Sequence, residues 1–225
     1  MEKKLNFLYS SIHGAYWVYY GVISSFSSVF LLARGFSNSQ IGIIIALANI
    51  LAVIIQPYLA DYVDRSGRTA IFSVMASMCI ALVLFTNIIL VAKNHLLLGA
   101  FYVAAFMLQS VMQPFCNGLN RVLEDGGNKI YFGFCRSIGS LVYSIVVVVL
   151  GYMVDSYTVD IIPKAGILTA LVLLAVVWFS YRAHNQNTSD VVENLVGHEI
   201  PAEKINLREF LKGHRMFFMV NIGVL

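Results

Sequence analysis

The chain has 225 residues, 59% of them hydrophobic and only 12% charged, with a mean hydropathy of +0.76, far outside the soluble globular range. This composition excludes a soluble enzyme. It leaves the formal charge of +3 as a matter of which loops carry the basic residues, not of nucleic-acid binding.

The apolar residues fall into blocks of about 20, the length a helix needs to cross roughly 30 Å of hydrocarbon. Six spans are predicted: Phe7 to Leu32, Ile41 to Tyr62, Ile71 to Val91, Leu96 to Val122, Tyr131 to Val154 and Ile161 to Tyr181. The fold expected is an all-α membrane protein with a six-helix N-terminal bundle over 1–182. A polar cytoplasmic inter-domain loop over 183–214 follows it. "MFFMVNIGVL", within 215–225, reads as the start of a seventh span, so the chain is expected to be cut inside that helix; a complete six-helix protein with an apolar tail is the alternative.

The first span follows "MEKK", is too long and too polar for a signal-peptide core, and is expected to be retained. Eleven Lys and Arg, from Lys3 to Arg215, fall on one side of the predicted spans, whereas Arg34, Lys93 and Lys164 fall on the other. The N-terminus and the long loop are therefore placed in the cytoplasm, in the cell (inner or plasma) membrane. Cys79, Cys116 and Cys135 all lie within spans, as small apolar residues. No metal-ligand spacing, nucleophile elbow, P-loop or dinucleotide fingerprint is present, so neither a metal, a cofactor nor catalysis is expected.

Polar groups inside spans are costly in hydrocarbon and mark partners or water-filled paths. In the fourth span Gln109, Gln113, Asn117 and Asn120 are spaced four, four and three residues apart, which keeps them within roughly 80° of one face. They either bond neighbouring helices or line a cavity. The fifth span carries Arg136, then Ser140, Tyr143 and Ser144; its guanidinium needs a carboxylate, other acceptors or water, or snorkels to the interface. The first span repeats the pattern with His13, Tyr16, Tyr20, Ser24 and Ser27. Tyr9 and Tyr19 read as members of an interfacial aromatic belt, Tyr20 lies too deep for one, and a lone His13 reads as a hydrogen-bonded residue.

Between the second and third spans stands "ADYVDRSGR". Its Asp64, Arg65, Gly67 and Arg68 resemble the loop signature of the major facilitator superfamily, with Ala60 where the signature has Gly and Thr69 where it has a final basic residue. Gly67 permits a tight reversal, the two arginines hold it in the cytoplasm, and Asp64 is left to pair with a helix end or a basic residue. The resemblance implies a gating role for this motif, and a second six-helix half of the same protein as partner, with solute bound between the halves.

"SQIGIIIALANILAVIIQP" and "YFGFCRSIGSLVYSIVVVVLGYM" are similar to the second and fifth helices of the oligosaccharide:proton symporters, the lactose permease-like transporters. That resemblance places Arg136 on the sugar-binding arginine, Ser140 on a small residue facing the sugar, and Tyr143 on a stacking aromatic. Gln113, Asn117, Asn120, Tyr16 and Tyr20 complete the candidate substrate-binding set. The family's helix-four glutamate is replaced by Gly118. Either Glu124 or an acid from the other half neutralises Arg136, or the substrate brings the negative charge. The expected activity is proton-coupled symport of a small polar solute, a sugar or oligosaccharide first. The alternatives are an aromatic or other organic acid or a nucleoside, or a non-transporting membrane scaffold or assembly factor. Expected partners are the solute, H+, the lipid bilayer and the C-terminal half, with no nucleic acid.

Overall fold

The computed structural model describes residues 2–67, 69–124 and 129–192, with side chains described up to Asn185. The apolar blocks all become helix: α1 (Glu2–Ile23), α2 (Ser27–Ala33), α3 (Asn38–Ser66), α4 (Ala70–Val91), α5 (His95–Leu123), α6 (Phe132–Ser156) and α7 (Ile161–Val192). α1 and α2 together make one span. The described residues thus hold six helical segments long and apolar enough to cross a membrane.

Local sequence explains where several helices start and stop. Ser37 and Gln40 form a capping box ahead of α3: Gln40 N–H donates to Ser37 Oγ at 3.3 Å and Ser37 N–H to Gln40 Oε1 at 2.8 Å. Asn94 Oδ1 caps α5 by accepting from Leu96 and Leu97 N–H at 2.8 and 3.1 Å. Only residues 67 to 69 separate α3 from α4, and Gly67 takes φ +92°, which a side chain would resist. The expected tight turn is present.

The first span is not continuous, as its hydropathy suggested. A turn at 24–26 divides it, within the run Ser24-Ser25-Phe26-Ser27-Ser28, and Ser27 Oγ donates to the Ser24 carbonyl at 2.8 Å. Short hydroxyl side chains compete for backbone groups in this way. In hydrocarbon the interrupted ladder needs partners from other helices. Tyr102 of α5 supplies one, donating to the Ile23 carbonyl at 2.8 Å. At the other end of the chain α7 runs to Val192, past Tyr181, so the segment expected to be loop from residue 183 begins as helix. The rest of that loop and residues 215–225 lie outside the described residues.

α1 packs on α6 and α5, and α5 packs in turn on α3 and α4. Residues 1–188 form one compact unit. Its largest fully buried side chains include Tyr9, Tyr16, Tyr19 and Tyr102. Each hydroxyl is paired across helices: Tyr9 to the Asn117 carbonyl (3.1 Å), Tyr16 to the Gln109 carbonyl (3.1 Å), and Tyr19 with Thr86 Oγ1 (3.1 Å). Tyr9 and Tyr19 are 0% exposed, so neither belongs to an interfacial belt; they tie α1 to α5 and α4. α1 and α6 meet at Gly139, where a Cβ would stand 2.6 Å from Trp17 Cδ1 and 3.2 Å from the His13 carbonyl oxygen. Small residues at interfaces are how membrane helices gain dispersion contacts without help from a hydrophobic effect. Val53, Tyr58, Val91 and Val148 point outward, as an apolar solvent allows.

Candidate substrate-binding face

The residues expected to bind solute divide between an open face and the interior. On α6, Arg136 and Ser140 are exposed and Tyr143 is half-buried. Arg136 stands one turn inside the helix start. Among the described residues no carboxylate lies within ion-pair distance of it; the two ion pairs formed are Arg34 with Asp160 and Arg65 with Asp61. Glu124, one candidate partner, is exposed at the end of α5 and is not bonded to Arg136.

Tyr143 is held by rings and a hydroxyl from the first span. Its centroid is 5.9 Å from Trp17 and 6.1 Å from Tyr20, which are themselves 5.1 Å apart. Its phenol shares a 2.9 Å hydrogen bond with Ser25 Oγ in the turn at 24–26. The three aromatics are part-exposed and mutually in contact, so they present a rigid ring surface beside Ser140. Trp17 was missed from sequence. It follows His13 by four residues and precedes Tyr20 by three, and that spacing was the available signal.

Tyr16 does not join this face. It is 1% exposed and its hydroxyl is engaged by Gln109. Gln109 has also left the amide stripe of α5. It is fully buried, its Nε2 donates to Ser24 Oγ at 2.6 Å, and its Oε1 has no hydrogen-bond partner among the described residues. Gln113, Asn117 and Asn120 stay half-buried. The stripe therefore divides: one amide bonds helix to helix and three are left at partial exposure. Asn49 of α3, which the sequence reading passed over, extends it: Ser110 Oγ donates to its Oδ1 at 3.4 Å.

At the α3–α4 turn Arg65 Nε donates to Asp61 Oδ1 at 2.9 Å, a helical i,i+4 pair. Asp64, expected to take a charged partner, is exposed and forms no ion pair among the described residues. Arg68 lies outside the described residues. No group of three His, Cys, Asp or Glu is placed to hold a metal among the described residues.

A family model described as the MFS_1 like family matches residues 9–224. The chain belongs to that family. With six apolar helices and the match running through nearly the whole chain, it is a multi-pass membrane transporter protein of the major facilitator type, its helices forming the N-terminal bundle of that fold. No curated protein and no solved structure matches it. Half-exposed polar residues from α1, α5 and α6 suit a major facilitator bundle, in which solute is held between two halves and each half is open on one side. A cleft of about 640 Å³ between the beginnings of α1 and α6 is lined by residues such as Ser10, Gly14 and Phe134 and not by Arg136 or Ser140. The candidate residues stand on a face, not in an enclosed cavity.

Proposed function

We propose that this face is one wall of the solute site of a proton-coupled secondary transporter working by alternating access, a second bundle of the same protein supplying the other wall. The observation that carries the reading is Arg136: a guanidinium inside a membrane span, exposed, with no carboxylate partner among the described residues. Such a charge cannot rest against lipid tails and needs an aqueous or polar counterpart. Arg136 donates to the solute, and Ser140, Gln113, Asn117 and Asn120 add hydrogen bonds. Tyr20 and Tyr143 cover an apolar ring face, and Tyr16 holds the first span in place behind them. Asp64, Arg65, Gly67 and Arg68 form the gate at the cytoplasmic turn, 183–214 is the inter-domain loop, 215–225 begins helix seven, and the N-terminus is cytoplasmic in the cell membrane.

A sugar or oligosaccharide is the first solute class, from the likeness of the second and fifth helices to the oligosaccharide:proton symporters. The second reading is a carboxylated solute, which the unpaired Arg136 and the Gly118 in place of an acid favour. The test uses de-energised cells expressing the complete reading frame: unlabelled solutes are added one at a time and external pH is recorded. Alkalinisation with sugars or with organic acids selects between the two, and Arg136→Ala abolishes it at an unchanged membrane level of protein. Undiminished uptake by that variant sinks the assigned site. A flat trace with every solute, together with a co-purifying protein, selects a scaffold or assembly role.

A further inference from the structure

His13 is 1% exposed, and neither of its ring nitrogens has a hydrogen-bond partner among the described residues. It is not the hydrogen-bonded histidine expected from sequence. Its neighbours are ring edges, Tyr9 at 4.7 Å and Phe132 at 6.1 Å between centroids, and the Tyr9 hydroxyl is already engaged by the Asn117 carbonyl. A buried imidazole without partners costs stability, and an ionisable residue inside a span is normally retained for function.

The helix geometry sets Arg136 beside it. Two residues of α6 touch His13: Phe132 by its ring, and Gly139, whose Cβ position lies 3.2 Å from the His13 carbonyl oxygen. Arg136 is four residues after the first and three before the second, on the same side of α6. The titratable groups around Tyr9 and His13 are Arg136 and Cys135 from α6 and Cys116 and Glu124 from α5. Of these, Arg136 is the charge carried on the side of α6 that packs against His13. The 640 Å³ cleft between α1 and α6 runs from Glu2 and Lys3 past Asn6 and Ser10 to Gly14, the residue next to His13.

We propose that His13 is a proton-binding site coupled to Arg136, the imidazole taking one proton from water when a carboxylate solute occupies the guanidinium and returning it to water when that solute leaves. The proposal rests on the transport reading above, in its carboxylate form. The charge balance is the mechanism. Empty, the site carries the single positive charge of Arg136; loaded, guanidinium, carboxylate and imidazolium again sum to one positive charge. One proton therefore moves with each carboxylate, and each ligand favours the other reciprocally.

The test needs no solute. The protein expressed from the complete reading frame and purified in detergent, carrying 13C-labelled histidine, is titrated from acid to alkaline pH, with the His13 signal assigned by its loss in His13→Gln. Arg136→Gln stands in for neutralisation by a bound anion, and Arg136→Lys controls for folding while keeping the charge. The expected result is that His13 in Arg136→Gln titrates about one pH unit higher than in the wild type and Arg136→Lys, a tenfold gain in proton affinity. Identical titrations in all three, or a His13 signal that never titrates, overturn the proposal. Absence of transport in every uptake assay with this coupled titration intact would instead remove the transport reading and leave the proton site standing.

Discussion

Gly139→Val tests the contact on which the candidate face depends, because it drives a side chain into the α1–α6 interface. The first added carbon falls 2.6 Å from Trp17 Cδ1 and 3.2 Å from the His13 carbonyl oxygen. Carbon atoms rest at about 3.5–4.0 Å, so the indole must withdraw by about 1 Å. The carbonyl is backbone and moves only with α1. Overpacking of this kind costs about 1–3 kcal/mol, and a protein of this length loses about 2–4 °C in Tm for each kcal/mol. A loss of about 2 kcal/mol therefore lowers Tm by about 4–8 °C. Thermal unfolding of the purified chain in detergent, followed by tryptophan emission, measures it. Gly133→Ala on the same helix is the control: its Cβ meets nothing within 4 Å, and the change is neutral or gains up to about 1 kcal/mol in helix propensity. If Gly139→Val melts within about 1 °C of the wild type, the close approach of α1 and α6 is wrong, and the placement of His13 beside Arg136 falls with it.

Gly118→Glu puts an acid where the lactose permease-like symporters carry their helix-four glutamate, in a position with no atom within 4 Å of its Cβ; if it reaches Arg136 as in those symporters, the chain folds and uptake of a carboxylated solute falls about tenfold or more as the charge-assisted bond, about 1.5–3 kcal/mol, is taken by the new side chain. Tyr102→Phe removes the hydroxyl that supports the Ile23 carbonyl beside the turn at 24–26 and lowers stability by about 0.6 kcal/mol, at most about 1.7, read as a drop in Tm without loss of helical circular dichroism. Ser37→Ala breaks the capping box of α3 at a cost of about 1 kcal/mol in the same melt. Asp61→Asn changes stability by less than about 0.5 kcal/mol, since both partners of the Arg65 pair are more than half exposed; its effect appears in transport rate if the turn is a gate.

The spans were legible because hydrocarbon imposes a length on any helix that crosses it, and the α3–α4 turn was legible because Gly67 stands where φ must be positive. What escaped is decided by direction around a helix, not by depth along it. Tyr9 and Tyr19 have the composition of belt residues, and only the Asn117 carbonyl and Thr86 hydroxyl brought alongside make them interior. The turn at 24–26 is invisible to hydropathy, which stays high through it; four serines in five residues hint at it, but the Tyr102 and Gln109 side chains that support it belong to another helix. Asp64 drew the charged role because a family motif names it, whereas simple i,i+4 spacing already pairs Asp61 with Arg65.

The amide stripe on α5 shows the limit most clearly. An arc of roughly 80° is wide enough to straddle the line where α1 packs on α5, so periodicity alone could not say which amides would bond and which would stay open. The answer turns on where α1 breaks: Ser24, released from regular helix, takes Gln109, while Gln113, Asn117 and Asn120 keep partial exposure. The same crossing leaves the His13 ring against α6 with no hydrogen-bond partner among the described residues. The ring surface of Trp17, Tyr20 and Tyr143 and the buried His13 therefore come from one packing of α1 on α6, and mutations that move α1 relative to α6 should disturb both together.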